Sequence, residues 1–299
     1  MAVPMRPVPV PFMSHRMKLN YVRWGDPSLP VLVLVHGTRD HARSWDWIAR
    51  DLCREWQVVC PDLRGHGDSS WSPDGAYSLP LFVADLAELV DQFGTPVSLV
   101  GHSLGGAICL RLAGVLPDRV DRLVAIEGLG PMPRPGTHDA LVPVSARWRD
   151  WMEKRRGLVA RTPRRYASIE AATERMRSKN ERLSQEQARH LASHGVRRHD
   201  DGTFGWKFDH SMQVDQPVRL DQSEVREIWA QIECPVWLVH GAASFASHPG
   251  LDGRAACFRS ASVTSFAGAG HWVQHDRLPD FALVLRRFLQ GESDPPPDV

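Results

Sequence analysis

The chain has 299 residues, of which 42% are hydrophobic and 24% charged, and its formal net charge is +1. This composition is typical of a folded globular protein and excludes a disordered chain, a collagen and a fibre. The longest apolar run, Val31 to Val35, is strand-sized, whereas a transmembrane helix needs roughly 18 to 20 apolar residues. We therefore expect no membrane span, and either one large core with an inserted subdomain or two domains.

The N-terminus and the cysteines both favour the cytoplasm. Prolines recur through the first eleven residues, where a signal peptide would have an unbroken apolar stretch. The five cysteines are widely spaced and contain no C-x-x-C pair, which favours free thiols in a reducing compartment over disulfides or a zinc site. We therefore predict a cytoplasmic protein without a structural metal.

The two ends of the chain alternate short β-rich runs with longer helical patterns, as βαβ units of a mainly parallel sheet do. Strands are predicted, in chain order, at Met17–Trp24, Val31–Val35, Gln57–Cys60, Val97–Val100, Arg122–Ile126, Val236–Val239 and Ser262–Phe266. Helices are predicted at about 45–54, 79–93, 104–116 and 280–289. The unbroken apolar strand Val31–Val35 predicts burial on both faces of the sheet. The Pro-rich tail, 294–299, is expected to be frayed.

The middle of the chain differs from both ends in charge and in pattern. Residues 131–200 contain 16 Lys and Arg against 8 Asp and Glu, a local charge of +8, so the remainder of the chain carries −7. This segment is helical in pattern and is interrupted at Pro143, Pro163 and Gly195. We interpret residues 1–130 and 225–299 as an α/β core, and residues 131–224 as a helical cap inserted into it.

The arginines of the cap raise two hypotheses besides solvated helix faces, namely an anionic substrate and a nucleic acid. No zinc-finger, RNA-binding or helix-turn-helix pattern accompanies them. We therefore expect no nucleic-acid partner and favour solvated faces. If the arginines reach the pocket instead, substrates with an acidic acyl group should be preferred at low salt.

A G-x-S-x-G pattern, Gly101-His-Ser103-Leu-Gly105, follows a predicted strand and begins a predicted helix. At such a sharp turn the backbone approaches itself closely on both sides of the serine, so only glycine fits at the flanking positions. The turn would expose Ser103 as a nucleophile at the N-terminus of the helix. A glycine-rich turn in which the serine only caps the helix is the structural alternative.

Two backbone amides and one histidine complete the predicted chemistry. The loop after Val31–Val35 is placed to supply an oxyanion donor, and we predict the N–H groups of Thr38 and Leu104 for this role. A serine hydroxyl needs a base, and His271 is favoured because it lies in a glycine-flanked loop after the last strand. Arg39, beside Thr38, is either a substrate contact or a solvated charge.

Four motifs together resemble the α/β-hydrolase superfamily, and they occur in that family's order and spacing over residues 17–130 and 230–290. They are His36-Gly37, Asp62-Leu-Arg-Gly-His-Gly67, Gly101-His-Ser-Leu-Gly-Gly106 and Gly268-Ala-Gly-His-Trp272. Within the superfamily, the segments 36–45 and 206–209 are similar to the serine-hydrolase-like, carboxylesterase-type branch. The resemblance implies a mostly parallel central sheet flanked by helices, with a helical cap insertion.

The chain departs from the family pattern at the acid of the triad. Most members carry an aspartate after the strand that here is Val236–Val239, but Ser244 stands at that position. Some members carry the acid after the strand that follows the nucleophile helix, where this chain has Glu127. We therefore predict Glu127 as the residue that orients His271. Asp252 is the alternative acid, and a Ser–His dyad without an acid is the third possibility.

These residues predict a cofactor-independent serine hydrolase that cleaves a small carboxylic ester through an acyl-enzyme intermediate. Alternatives are hydrolysis of a C–C bond, a lactone or an amide by the same triad, and a small-molecule-binding protein without catalysis. Trp148, Trp151, Trp272 and Arg39 are candidate pocket residues, and core packing is the alternative for each tryptophan. The physiological substrate, its chain length and the oligomeric state do not follow from the sequence.

Overall fold

A computed structural model of the chain describes residues 6–130, 142–159, 162–213, 217–292 and 294–299. The strands in these ranges are β1 (Val8–Ser14), β2 (Met17–Trp24), β3 (Val31–Val35), β4 (Gln57–Asp62), β5 (Val97–His102), β6 (Val120–Ile126), β7 (Val196–Arg198), β8 (Phe204–Trp206), β9 (Val236–Gly241) and β10 (Ala261–Phe266). Eight of them form one sheet in the order β1-β2-β4-β3-β5-β6-β9-β10. The pairs from β4 to β10 are parallel, and β2 pairs antiparallel with both β1 and β4. The predicted, mostly parallel sheet is confirmed.

The α-helices of the described residues are α1 (Asp46–Leu52), α2 (Leu79–Asp91), α3 (Leu104–Val115), α4 (Val144–Val159), α5 (Ile169–Arg177), α6 (Gln185–Gly195), α7 (Gln222–Ala230), α8 (Val273–Asp276) and α9 (Leu278–Gln290). Helices α2, α3 and α7 bury one core against the sheet, and α1, α8 and α9 bury a second core on the opposite face. Side chains of β3 alternate between the two cores, Val33 in one and Leu34 in the other. The burial of β3 on both faces is therefore confirmed.

Both edges of the sheet differ from the expectations. The N-terminal segment forms β1 despite Pro9 and Pro11, because an edge strand has one side without ladder hydrogen bonds and tolerates proline there. The prediction of a frayed tail is wrong. The Val299 N–H donates to the Ser265 carbonyl (3.0 Å), and the Ser265 N–H donates to the Pro297 carbonyl (2.8 Å), so the tail covers the open edge of β10.

The segment between β6 and β9 carries α4, α5, α6 and the small antiparallel pair of β7 and β8. Its predicted first residue, 131, lies outside the described residues. Helix α7 spans the predicted second boundary at 224/225, and it packs on α3 with Val225 and Trp229 in the core of the sheet. The division into an α/β core and a helical cap stays a prediction. Within the described ranges, no helix has the length and apolarity required to cross a bilayer.

Candidate active site

Ser103 lies at a sharp turn between β5 and α3, and its φ of 52° is in the left-handed region that non-glycine residues rarely adopt. Its N–H donates a hydrogen bond to the Ile126 carbonyl at 2.8 Å. A Cβ on Gly101 would lie 2.5 Å from the backbone of Gly105, and a Cβ on Gly105 would lie 2.3 Å from the Val35 carbonyl oxygen. Close backbone approach therefore requires both glycines of the G-x-S-x-G pattern.

Glu127 follows β6 directly and contacts the imidazole of His271. Its Oε2 lies 3.3 Å from His271 Nδ1, and its side chain is fully buried whereas that of His271 is 13% exposed. Two more donors reach the carboxylate: the Gly241 N–H at 2.8 Å and the Ser244 hydroxyl at 2.7 Å. A hydrogen bond from Nδ1 to Glu127 leaves the Nε2 lone pair of His271 as the basic atom.

The electrostatics of Glu127 favour the charged carboxylate. Burial raises the pKa of Glu127, but hydrogen bonds from His271, the Gly241 N–H and the Ser244 hydroxyl outweigh burial and hold this pKa below its ordinary value. The carboxylate is therefore ionised at neutral pH. A buried negative charge beside the histidine stabilises the imidazolium that forms when His271 takes up a proton.

Asp252, the alternative acid, is engaged elsewhere. Its carboxylate accepts hydrogen bonds from the Arg254 Nε at 2.8 Å and from the Ser247 hydroxyl at 2.7 Å. Arg254 in turn donates to the Gly130 carbonyl at 2.7 Å. The structure therefore brings Glu127 to His271 and places Asp252 in a salt bridge with a buried arginine.

His102, next to the serine in sequence, connects the turn to the histidine loop. Its Nε2 donates to the backbone carbonyl of His271 at 2.9 Å, and the two ring centroids lie 4.9 Å apart. Burial and the nearby His271 hold the pKa of His102 well below its ordinary value, so this ring is neutral. This contact does not follow from the sequence, because the His271 loop lies 169 positions away and no local pattern records its backbone.

The loop after β3 passes against the turn that carries the serine. A Cβ on Gly37 would lie 3.3 Å from the Cβ of Ser103 and 2.9 Å from Nδ1 of His102. Leu104 is the first residue of α3, where a helix leaves its N–H groups unbonded and its dipole is positive. Among the described residues, no acceptor takes the N–H of Thr38 or of Leu104. The two predicted oxyanion donors are therefore available in this structure.

Two aromatic rings contact the imidazole. The ring centroid of Trp272 lies 5.2 Å from that of His271, and the centroid of Phe245 lies 4.7 Å from it. Trp272 was predicted as a pocket residue, whereas Phe245 was not. Phe245 is recognisable as a candidate pocket residue by its exposure, since this large apolar residue is 84% exposed. Exposure is a property of the folded chain, so the sequence alone does not reveal it.

The other candidate pocket residues lie on α4, between β6 and β9, and on the loop after β3. Trp148 and Trp151 on α4 pack edge to face at 5.7 Å, and Trp148 is 43% exposed. Arg155 stacks on Trp151 at 5.2 Å and donates to the Asp74 carbonyl, which ties α4 to the core. Arg39 is exposed, has a φ of 62°, and lies 6.0 Å from the Phe208 ring. Whether any of the three lines the substrate pocket stays a prediction.

A polar cavity of about 390 Å³ lies beside the loop after β4. Its walls contain none of the predicted catalytic residues and are formed by Gly67, Asp68, Ser69, Ser70, Trp71, Arg197 and Lys207. Within the described ranges, the group of side chains spaced to bind a metal ion is Asp46, His190 and His194, which is also separate from the predicted triad.

Comparison with known proteins places these features in a family. A family model described as "Alpha/beta hydrolase family" matches residues 32–282. The 3-hydroxybutyrate-oligomer hydrolase of Cupriavidus necator is 31% identical over 77% of this chain and 78% of its own length. Esterase YbfF of Escherichia coli is 29% identical over 86% of this chain and 92% of its own length. A hypothetical protein of Pseudomonas aeruginosa has a similar crystal structure, with a TM-score of 0.82 and 26% identity over 94% of this chain and 99% of that chain.

Proposed function

The chain belongs to the alpha/beta hydrolase family, and we propose that this enzyme hydrolyses a small carboxylic ester through an acyl-enzyme intermediate on Ser103. The observation that carries the proposal is the contact between Glu127 Oε2 and His271 Nδ1. Ser103 stands on a strained strand-to-helix turn, and its N–H bonds to the carbonyl of Ile126, the residue before Glu127. Relatives named as an esterase and as an oligomer hydrolase support an ester as the substrate.

In the first half of the reaction, Ser103 Oγ attacks the ester carbonyl while His271 Nε2 accepts the hydroxyl proton. The carbonyl oxygen becomes an oxyanion, which accepts hydrogen bonds from the backbone N–H groups of Thr38 and Leu104. His271 then gives its proton to the departing alkoxide, and the alcohol leaves with the acyl group bound to Ser103. Glu127 keeps the imidazole in the tautomer with Nδ1 protonated and stabilises its cation.

In the second half, water takes the place of the alcohol. His271 removes a proton from the water as the water oxygen attacks the acyl carbon, and the same two N–H groups bind the new oxyanion. The collapse of this intermediate returns the proton to Ser103 and releases the carboxylic acid. No step needs a cofactor, because nucleophile, base, acid and oxyanion donors all come from the chain.

The proposal is tested with short-chain p-nitrophenyl esters on the wild type and on Ser103→Ala. We expect turnover in the wild type, and a loss of about 10⁴-fold or more in the variant. Intact-protein mass spectrometry after rapid acid quench should show the acyl adduct on the wild type alone. Turnover that Ser103→Ala retains would contradict the assignment of the nucleophile, and no turnover with any ester would favour a binding protein.

A further inference from the structure

A second chemical cluster lies where the inserted segment meets the core. His190 and His194 are one helical turn apart on α6, so both project from the same face, and their ring centroids lie 4.7 Å apart. Imidazoles four residues apart on a helix can reach one metal ion, as they do in the H-E-x-x-H pattern. The pair faces the N-terminus of α1, where Asp46 is the first helical residue.

Asp46 supplies a carboxylate to this cluster. Its side chain is only 2% exposed, and its Oδ2 lies 3.1 Å from His190 Nε2. The ligand atoms of Asp46, His190 and His194 all lie within 4.8 Å of one another. Two nitrogen ligands and one carboxylate oxygen are a donor set that zinc and neighbouring first-row metals prefer.

We propose that Asp46, His190 and His194 bind a first-row transition-metal dication, with Zn²⁺ as the reference ion. Ligand atoms around a tetrahedral zinc ion lie about 3.3 Å apart, given bonds of about 2.0 Å, and Asp46 and His190 already have this spacing. His190 Nε2 also contacts the Arg43 carbonyl at 3.1 Å, so its ring must carry the proton on Nδ1 when Nε2 binds the metal. The proposal is independent of the proposed hydrolysis.

Arg43 is the competitor for this site. Its guanidinium bonds both oxygens of Asp46 and lies 3.4 Å from His194 Nδ1, so the metal-free cluster already holds a cation. The Arg43 side chain is 26% exposed and has room to turn into solvent, whereas Asp46 is fixed and buried. A bound dication would displace the single positive charge of Arg43 from the Asp46 carboxylate. Arg43 therefore competes with the metal and lowers its affinity, but it leaves the three ligand side chains in place.

A bound metal would join α6 of the inserted segment to the part of the chain that follows Thr38, a predicted oxyanion donor. Helix α6 is already tied to the loop after β3, since His41 Nε2 donates to the Leu191 carbonyl at 2.9 Å. The metal would add coordination bonds to the hydrogen bonds that already join α6 to the segment that follows Thr38. The predicted physical consequence is resistance of this junction to opening, visible as a higher unfolding temperature.

The test uses the full-length chain without a histidine tag, stripped with a chelator and titrated with ZnCl₂ by calorimetry in a non-chelating buffer. We expect one equivalent to bind the wild type, and His190→Gln or His194→Gln to weaken binding at least about ten-fold. Arg43→Gln should tighten binding by about three-fold or more, because it removes the competing cation. At the same concentration, Zn²⁺ should raise the Tm of the wild type more than that of His194→Gln.

His248→Gln is the matched control, because His248 also pairs with another histidine, the buried His240, at a centroid distance of 5.0 Å, and neither ring belongs to the Asp46 cluster. This variant should bind like the wild type. The proposal is wrong if His190→Gln and His194→Gln both bind Zn²⁺ as the wild type does, or if the wild type binds no Zn²⁺. Circular dichroism of each variant establishes that the chain has folded.

Discussion

The ends of β6 and β9 lie side by side in the sheet, with Ile126 paired to Val239, yet they supply different kinds of groups to the predicted site. The end of β6 supplies a charge, the carboxylate of Glu127. The end of β9 supplies neutral donors, the Gly241 N–H and the Ser244 hydroxyl, and both bond to that carboxylate. Because neighbouring parallel strands end at one edge, we expect that an acid on either strand can reach His271 while donors from the other strand bond to that acid.

The largest expected effect comes from removing the charge at the end of β6. Glu127→Gln keeps the size of the side chain but loses the anion that stabilises the His271 cation. We expect kcat for p-nitrophenyl acetate to fall by about 10³- to 10⁴-fold with a smaller change in KM. Wild-type turnover in a folded Glu127→Gln protein would contradict the assignment of Glu127 as the acid of the triad.

Moving the acid to β9 tests whether the two strand ends are interchangeable. Glu127→Ala removes the carboxylate, and Ser244→Asp in the same chain places one at the position where the family resemblance implies an aspartate. We expect the double variant to regain at least about ten-fold in kcat/KM over Glu127→Ala, because the new carboxylate starts from the neighbouring strand end. A double variant no faster than Glu127→Ala would show that a carboxylate at position 244 cannot take over the role of Glu127.

Removing the support alone should have a smaller, pH-dependent effect. Ser244→Ala deletes one hydrogen bond to ionised Glu127, whose pKa is lowered in the folded protein. The pKa of Glu127 should rise, so the carboxylate protonates at a higher pH and the acid limb of the kcat/KM profile moves upward. At pH 8 we expect a loss of only about three- to ten-fold. An unchanged acid limb would show that the Ser244 hydroxyl does not tune Glu127.

The linked stability has a definite sign. A carboxyl with a lowered folded-state pKa stabilises the protein above its unfolded-state pKa, and this contribution is lost as the pH falls through the folded-state value. Ser244→Ala should therefore reduce the free energy of unfolding at neutral pH and make less difference in acid. Urea denaturation of the wild type and of Ser244→Ala, at neutral and at acidic pH, measures how the difference in the free energy of unfolding changes with pH.

The smallest effect on catalysis is expected at Asp252. Asp252→Asn leaves the Glu127 contact intact, so kcat/KM should change less than about two-fold. The buried Arg254, whose side chain is 3% exposed, loses its counter-ion, and the free energy of unfolding should fall by about 3 kcal/mol. A large loss of activity without a loss of stability would restore Asp252 as a candidate acid.

The strands of the sheet, the turn that carries Ser103 and the candidate acid Glu127 could be predicted from local sequence patterns and from the family resemblance. Alternation and apolar runs located the strands, and the G-x-S-x-G pattern located a turn whose glycines are required by backbone contact. The resemblance directed attention to the missing aspartate and to Glu127. These signals depend on residues close in sequence or on motifs shared by a family.

The features that escaped prediction depend on residues far apart in sequence. The hydroxyl of Ser244 reaches Glu127 across 117 positions, and no local pattern distinguishes it from a loop serine. Strand β1 and the C-terminal tail were missed because each pairs with the free edge of a sheet, and proline-rich segments look irregular until that edge is present. The exposure of Phe245 and the contact of its ring with His271 likewise arise only in the folded chain.

The most direct test of the triad is the rate at which a fluorophosphonate labels Ser103, followed by mapping of the modified peptide. Attack of Ser103 Oγ on phosphorus expels fluoride and needs the same base and oxyanion donors as ester cleavage. We predict a single label on Ser103, formed at the wild-type rate in Asp252→Asn and at least about 100-fold more slowly in Glu127→Gln. A label on another residue, or equal rates in Glu127→Gln and the wild type, would contradict the Ser103–His271–Glu127 assignment.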